Sequence, residues 1–330
     1  MLTAPLAIAL GDPAGIGPEI VAKSWDLRAA RGLPPFFVVG SREGLEAVWA
    51  GPIASIADPS ETAACFAHAL PLLQLGDGNA VTPGEPDLEG ARNAFDALEL
   101  ALGLTRSGAA SALVTGPVSK AQLYMVGFTH PGQTEFVAER CGISAEMVVM
   151  MLLGPTLKTV PVTTHIPLQD VPGALTIERI VAKARTTVKG LQRQFGIAEP
   201  RLAVAGLNPH AGESGSLGRE EIDIVIPAIE RLREEGFNVS GPYAADAMFY
   251  ERKRATYDAA LCLYHDQALV PLKTLHFDEG VNMTLGLPIV RTSPDHGTAF
   301  EIAGKNIADP GAMIAAILTA AACAERAGQA

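Results

Sequence analysis

The sequence predicts an α/β fold built on a mostly parallel sheet with helices on both faces. Two observations carry that expectation: short apolar runs ending in turn or polar residues recur along the whole chain, and helical patterns fill most of the intervals between them. The first run, PLAIALGD, enters the glycine-rich turn LGDPAGIGPEI, and Pro18 then opens the helical stretch PEIVAKSW. FFVVGS and SALVTGP follow as the next apolar runs, then MVVMMLLG, KTVPVTTH, RLAVAGLNPH and DAALCLYHD. REEIDIVIPAIERLREEGF places Ile and Leu at helical spacing, with its charges falling elsewhere. The tail GAMIAAILTAAACAERAGQA reads as an apolar helix packed on the core or on a partner subunit.

Bulk properties narrow the class. The 330 residues allow two lobes or one intertwined unit, and 48% hydrophobic against 18% charged residues is ample material for a core. A formal charge of −11 argues against a nucleic-acid partner, whose phosphates it would repel. Cys65, Cys141, Cys262 and Cys323 are dispersed and form no CxxC pair, so a disulfide scaffold is not expected and a reducing, cytoplasmic setting fits. No apolar stretch is long enough to span a bilayer, and the start lacks the basic residues of a signal peptide.

In parallel sheets ligands gather beyond the carboxyl ends of the strands, so polar residues that close an apolar run are the ones to weigh. His165, His210 and His265 each hold that position. Three imidazoles meeting at one sheet edge would make a metal site with an open position, suited to zinc or another first-row divalent ion. The alternative is three separate, hydrogen-bonded histidines. Asp246 and Asp266 are candidates either for orienting an imidazole or for capping a helix. Lys273, Asn282 and Arg291 cluster in the following stretch and suit a phosphate or carboxylate, or, for the two cations, plain solvation. The loops HAGESGSLGREE and TGPVSK offer backbone N–H groups at helix starts, where glycine serves either an anion or only the turn. Gly11, Gly15 and Gly17 give GxxxGxG, which is not the dinucleotide fingerprint GxGxxG, and no Walker motif occurs.

Taken together, GDPAGIGPEI, TGPVSK, GQTEF, TTHIPL, GLNPHAGESGSLGREE, YHDQALVPLK and VNMTLGLPIVRTSPDHGTAFEIAGK resemble the motifs of the 4-hydroxythreonine-4-phosphate dehydrogenase family, over nearly the whole chain. The resemblance implies an isocitrate/isopropylmalate-dehydrogenase-like fold of two intertwined α/β/α lobes with a cleft between them. Residues 1–125 plus 285–330 would form the first lobe and 126–284 the second. It implies a homodimer with the active site at the subunit interface, and a divalent metal, zinc or else magnesium or cobalt, on His165, His210 and His265 with ligands from both subunits. Substrate contacts would fall on Gln133, Thr134, Lys273, Asn282 and Arg291, and NAD or NADP would lie beside Gly297 and Thr298. Where the family has His-Thr-Glu-Phe, this chain has Gln133-Thr134-Glu135-Phe136, and glutamine cannot become cationic.

The implied reaction is oxidation of 4-phosphooxy-threonine at C3 followed by loss of carbon dioxide, giving 3-amino-2-oxopropyl phosphate for vitamin B6 synthesis. A related dehydrogenase of threonate or erythronate 4-phosphate, or of an aromatic dihydrodiol, is the nearest alternative. The histidines alone also fit a metal-dependent hydrolase or aldolase without nicotinamide, and the anion-binding groups a non-catalytic metabolite sensor.

Overall fold

A computed structural model describes residues 2–76 and 79–328. The chain divides into two compact units, Met1–Ile143 with Leu287–Ala330, and Ser144–Gly286. Residues 126–143, which the sequence assigns to the second lobe, lie in the first unit. Phe128 and Phe136 pack edge-on and tilted around Phe95 of the helix Leu88–Arg106, and Phe136 is fully buried there.

The first unit carries β1 (Leu6–Ala9), β2 (Phe36–Gly40), β3 (Ile53–Ser55), β4 (Leu70–Gln74) and β5 (Leu113–Thr115). The chain later returns to this sheet with a further strand, Arg291–Pro294. Every pairing within it is parallel, in the order β3, β4, β2, β1, β5 and the returning strand. β1 is buried along its whole length, as expected of an apolar strand covered on both faces. The helix Leu88–Arg106 begins where the Asp87 carboxylate accepts from the Gly90 N–H at 2.7 Å, and it buries Ala94, Leu98, Ala101, Leu102 and Thr105 along one stripe. The tail helix Gly311–Ala327 buries Met313, Ile317 and Ala320 on the same unit, and its Ala316 carbonyl accepts from the Thr292 hydroxyl.

The second unit carries β6 (Val149–Gly154), β7 (Leu157–Pro161), β8 (Arg201–Ala205), β9 (Asn238–Tyr243), β10 (Ala259–Cys262) and β11 (Val281–Leu285), which makes the returning strand of the first unit β12. Its order is β11, β6, β7, β10, β8, β9. β6 runs antiparallel to both neighbours, a departure from the parallel pattern with a simple cause: only Pro155 and Thr156 separate it from β7, too few for a crossover helix. β7, β10, β8 and β9 pair in parallel. The helix Ile177–Phe195 is capped by Thr176, which accepts from the Arg179 N–H at 3.1 Å, and closed by Gly196 in the left-handed region. No helix among the described residues is long and apolar enough to cross a membrane. All four cysteines are free thiols.

Candidate active site

In the second unit the three histidines follow three neighbouring parallel strands, His165 after β7, His265 after β10 and His210 after β8. Such loops leave a sheet on the same edge. The His165 and His265 rings lie 5.5 Å apart, centroid to centroid, with their planes inclined at 47°. His265 opens the helix His265–His276, and its Nδ1 is 2.7 Å from the Asp266 carboxylate. A carboxylate only accepts, so Nδ1 is the donor in this contact and Nε2 is the ring nitrogen left to face a ligand. Two adjacent imidazoles, one oriented in this way, fit a divalent ion at two coordination positions. Among the described residues no three His, Cys, Asp or Glu side chains of one chain are grouped to hold a metal. His210 therefore does not complete the pair within a single chain.

The backbone under His210 is unusual. His210, Ala211, Gly212, Glu213 and Ser214 have φ between 41° and 79°, and Gly215 follows at 95°, so the chain makes a left-handed turn. Each non-glycine residue there costs about 1–2 kcal/mol relative to a right-handed conformation. Packing has to offset that cost. The Asn208 N–H donates to Glu221 Oε1 at 2.8 Å, and its Nδ2 donates to Glu221 Oε2 at 2.9 Å and Glu220 Oε2 at 2.7 Å. Gln267 ties this loop to that of His265: Nε2 donates to the Gly206 carbonyl and Oε1 accepts from the Leu263 N–H, both at 2.7 Å.

The other sequence candidates of this unit are distributed as follows. Lys273 lies two turns along the helix that begins at His265 and is half-buried. Asn282 is on β11, and its Oδ1 is buried with no hydrogen-bond partner among the described residues. Asp246 sits exposed on the short turn Ala245–Ala247 and, among the described residues, makes no hydrogen bond to a histidine.

The first unit holds the anion-binding candidates. Arg291, at the start of β12, is 4% exposed, and its Nη2 donates to Thr115 Oγ1 at 2.6 Å and Gln133 Oε1 at 2.9 Å. Burial pushes its pKa down to about 10, opposed by the nearby Glu135 carboxylate, and this leaves a cation at neutral pH. The other end of the Gln133 amide donates to the Gly116 carbonyl at 3.3 Å. Gln133 thus braces the guanidinium against the TGP loop. Thr134 is half-buried beside it in the first turn of the helix Gln133–Arg140. His130 is held elsewhere, its Nε2 against Glu139 at 2.8 Å and its ring against Phe128 and Phe136.

The glycines of GDPAGIGPE serve close packing. A Cβ on Gly11 would lie 2.3 Å from the Pro117 carbonyl oxygen, one on Gly17 2.4 Å from that of Leu10, and one on Gly15 3.0 Å from that of Thr298. The Ile16 N–H donates to the same Thr298 oxygen, which binds the stretch Gly297–Thr298 to this loop. Gly297 itself is exposed, with open space among the described residues where a Cβ would sit. Asp12 is buried in the turn and accepts from the Ala14 N–H at 3.0 Å; burial raises its pKa. Asp12, Glu221 and Gln267 are further site-building residues that the sequence pattern does not single out, although each lies inside or beside one of the motif stretches.

The fold is that of an α/β protein with paired imidazoles at strand ends in one unit and, separately, a buried, braced arginine in the other. The chain belongs to the pyridoxal phosphate biosynthetic protein PdxA family, whose profile matches residues 33–320. A 4-hydroxythreonine-4-phosphate dehydrogenase of Zymomonas mobilis is 59% identical over 317 residues, covering 96% of this chain and 95% of the relative. The crystal structure of the enzyme of that name from Klebsiella pneumoniae superposes with a TM-score of 0.87 at 37% identity, covering 97% of this chain and 98% of the other. A terephthalate 1,2-cis-dihydrodiol dehydrogenase from Burkholderia xenovorans superposes with a TM-score of 0.65 at 30% identity over 96% and 97% of the two chains. The family is one of oxidoreductases, and this chain is one of them.

Proposed function

We propose that this chain oxidises 4-hydroxythreonine 4-phosphate at its C3 hydroxyl, with NAD or NADP as hydride acceptor, in pyridoxal phosphate synthesis. C3 loses a hydride to the nicotinamide and the hydroxyl loses its proton. The resulting 3-keto acid releases carbon dioxide to give 3-amino-2-oxopropyl phosphate. The observation that carries this reading is the His165–His265 pair with its Asp266 brace, in a chain whose curated relatives bear that enzyme name.

A divalent ion, zinc in first place, would supply Lewis-acid stabilisation of negative charge at the C3 oxygen, and a bound nicotinamide would supply the hydride acceptor. His165 and His265 hold that ion, with His210 contributed across a homodimer interface. The exposed Leu168, Val270 and Phe277 support a subunit contact, being large apolar side chains on the same unit as the histidines. Arg291, kept cationic and fixed by Thr115 and Gln133, binds an anionic group of the substrate, with Thr134 beside it. The buried Asn282 Oδ1 accepts from a substrate N–H or O–H, and Lys273 binds a carboxylate or moves a proton at the C3 oxygen. Gly297, exposed and without a side chain, and Thr298 lie against the nucleotide. The acidic, helix-rich chain works as a cytoplasmic homodimer.

The test is a panel of 4-hydroxythreonine, threonate and erythronate 4-phosphates with NAD and NADP, with and without chelator. The reading expects chelator-sensitive nicotinamide reduction that is fastest with the hydroxythreonine. Faster turnover of threonate or erythronate 4-phosphate would reassign the substrate.

A further inference from the structure

Glu221 is a carboxylate that the reaction above does not use, yet it is only 1% exposed. It begins the π-helical turn Glu221–Val225, a conformation that is rare and frequent at functional sites. Both oxygens are directed at the strand-end loop of His210. Oε1 accepts from the Asn208 backbone N–H and Oε2 from Asn208 Nδ2. A Cβ on Gly212 would lie 2.6 Å from Oε2, and one on Gly206 would lie 3.1 Å from Oε1. The carboxylate therefore fills space that only glycines leave, on both sides of His210 in the chain. Glu220 adds a lock, because its Oε2 accepts from the same Asn208 Nδ2 at 2.7 Å. Turning the Asn208 amide over would aim its oxygen at two carboxylates.

We propose that Glu221 is a positioning residue that sets the direction in which His210 presents its imidazole. The proposal rests on the reading of His210 as a metal ligand. Six successive residues with positive φ, His210 to Gly215, do not hold themselves in that conformation, and the chain enters the turn from Asn208 and Pro209. The buried carboxylate, fixed on a helix, anchors that entry point through both its oxygens. Glu221→Gln keeps the shape but puts an NH2 group against the Asn208 NH2, and Glu220 blocks the amide flip that would relieve the conflict.

The experiment uses the full-length protein, stripped with chelator and titrated with Co²⁺ alone, reading affinity and the visible ligand-field band, with kcat and KM measured on the reloaded enzyme. Glu221→Gln should bind Co²⁺ about tenfold to a hundredfold more weakly, with a shifted band and a kcat loss larger than any change in KM. Asn208→Ala, which leaves the carboxylate in place and removes only its side-chain donor, should move the same readouts less far. It decides the matter alone if Glu221→Gln does not fold. Wild-type affinity and band in both variants, while His210→Ala loses them, would overturn the proposal and leave His210 a ligand. Wild-type Co²⁺ binding in His210→Ala would overturn both.

Discussion

Arg291 Nη2 and Gln133 Oε1 lie 2.9 Å apart, and this contact joins the first residue of β12 to the first residue of the helix Gln133–Arg140. The glutamine holds the guanidinium at one end of its amide and the Gly116 carbonyl at the other. Gln133→Ala should leave Arg291 in place through Thr115 but less firmly oriented. A hydrogen bond to a charged group contributes about 1.5–3 kcal/mol, so KM for the phosphorylated substrate should rise roughly tenfold or more. Steady-state kinetics of the variant check this, with kcat changing less than KM.

Neither Thr115 nor Gln133 titrates near neutrality, and Arg291 keeps its charge until about pH 10. The contribution of this cradle to substrate affinity should therefore be flat between about pH 7 and 8, above the phosphate's own second pKa of about 6, and fall only as pH approaches 10. Gln133→His should add a pH-dependent part. The imidazolium form assists an anion below its pKa of about 6.5, so affinity should weaken as pH rises through that value. KM profiles of the two proteins give the comparison.

Asp266 orients His265 by accepting from Nδ1 at 2.7 Å. Removing a carboxylate that orients a metal-binding imidazole typically lowers metal affinity about tenfold to a hundredfold. Asp266→Ala should show that loss in a competition titration against a zinc-binding dye, with its melting temperature in the metal-free form close to wild type, because the Asp266 side chain is 75% exposed.

Asp258 and Arg201 link β8 to the segment that leads into β10. The carboxylate accepts from Arg201 Nε at 3.1 Å, Nη2 at 3.0 Å and the backbone N–H at 2.8 Å. Burial alone would raise its pKa, and the hydrogen bonds from Arg201 outweigh that and lower it. The folded value lies below the unfolded one, so the stabilisation is complete above about pH 3.9 and is lost as pH falls through the folded value. Asp258→Asn should melt lower than wild type at pH 7, by about 2 °C or more, with the gap closing in strong acid. Thermal melts across that range read it.

What was legible in the sequence follows burial. β1, β2, β5, β8 and β10 are apolar on both faces and announce themselves as runs. β3 is three residues of half-exposed edge, and β9 contains Gly241 and Pro242, so neither gives a periodic signal. The strand-end histidines stand out in the sequence because a polar residue closing an apolar run is visible in one dimension. The turn that carries His210 was not, since left-handed φ values at histidine, alanine, glutamate and serine leave no compositional mark. Glu221 fell on the charged side of an amphipathic pattern and would pass for a solvated residue. The structure buries it on the stripe it shares with Val225, Ala228, Ile229 and Leu232, four, seven, eight and eleven residues further on. The brace between Gln133 and Arg291 spans 158 positions and has no local signature at all.

Hydride transfer from the C3 hydroxyl carbon of a phosphorylated hydroxy amino acid to nicotinamide is the step on which the proposed function turns. The most direct measurement incubates the metal-loaded protein with 4-hydroxythreonine 4-phosphate and NAD or NADP, and follows reduced nicotinamide and carbon dioxide together. One mole of each per mole of substrate, abolished by chelator and restored by a divalent ion, is the predicted result. Substrate consumption without nicotinamide reduction, or reduction indifferent to metal removal, would contradict it.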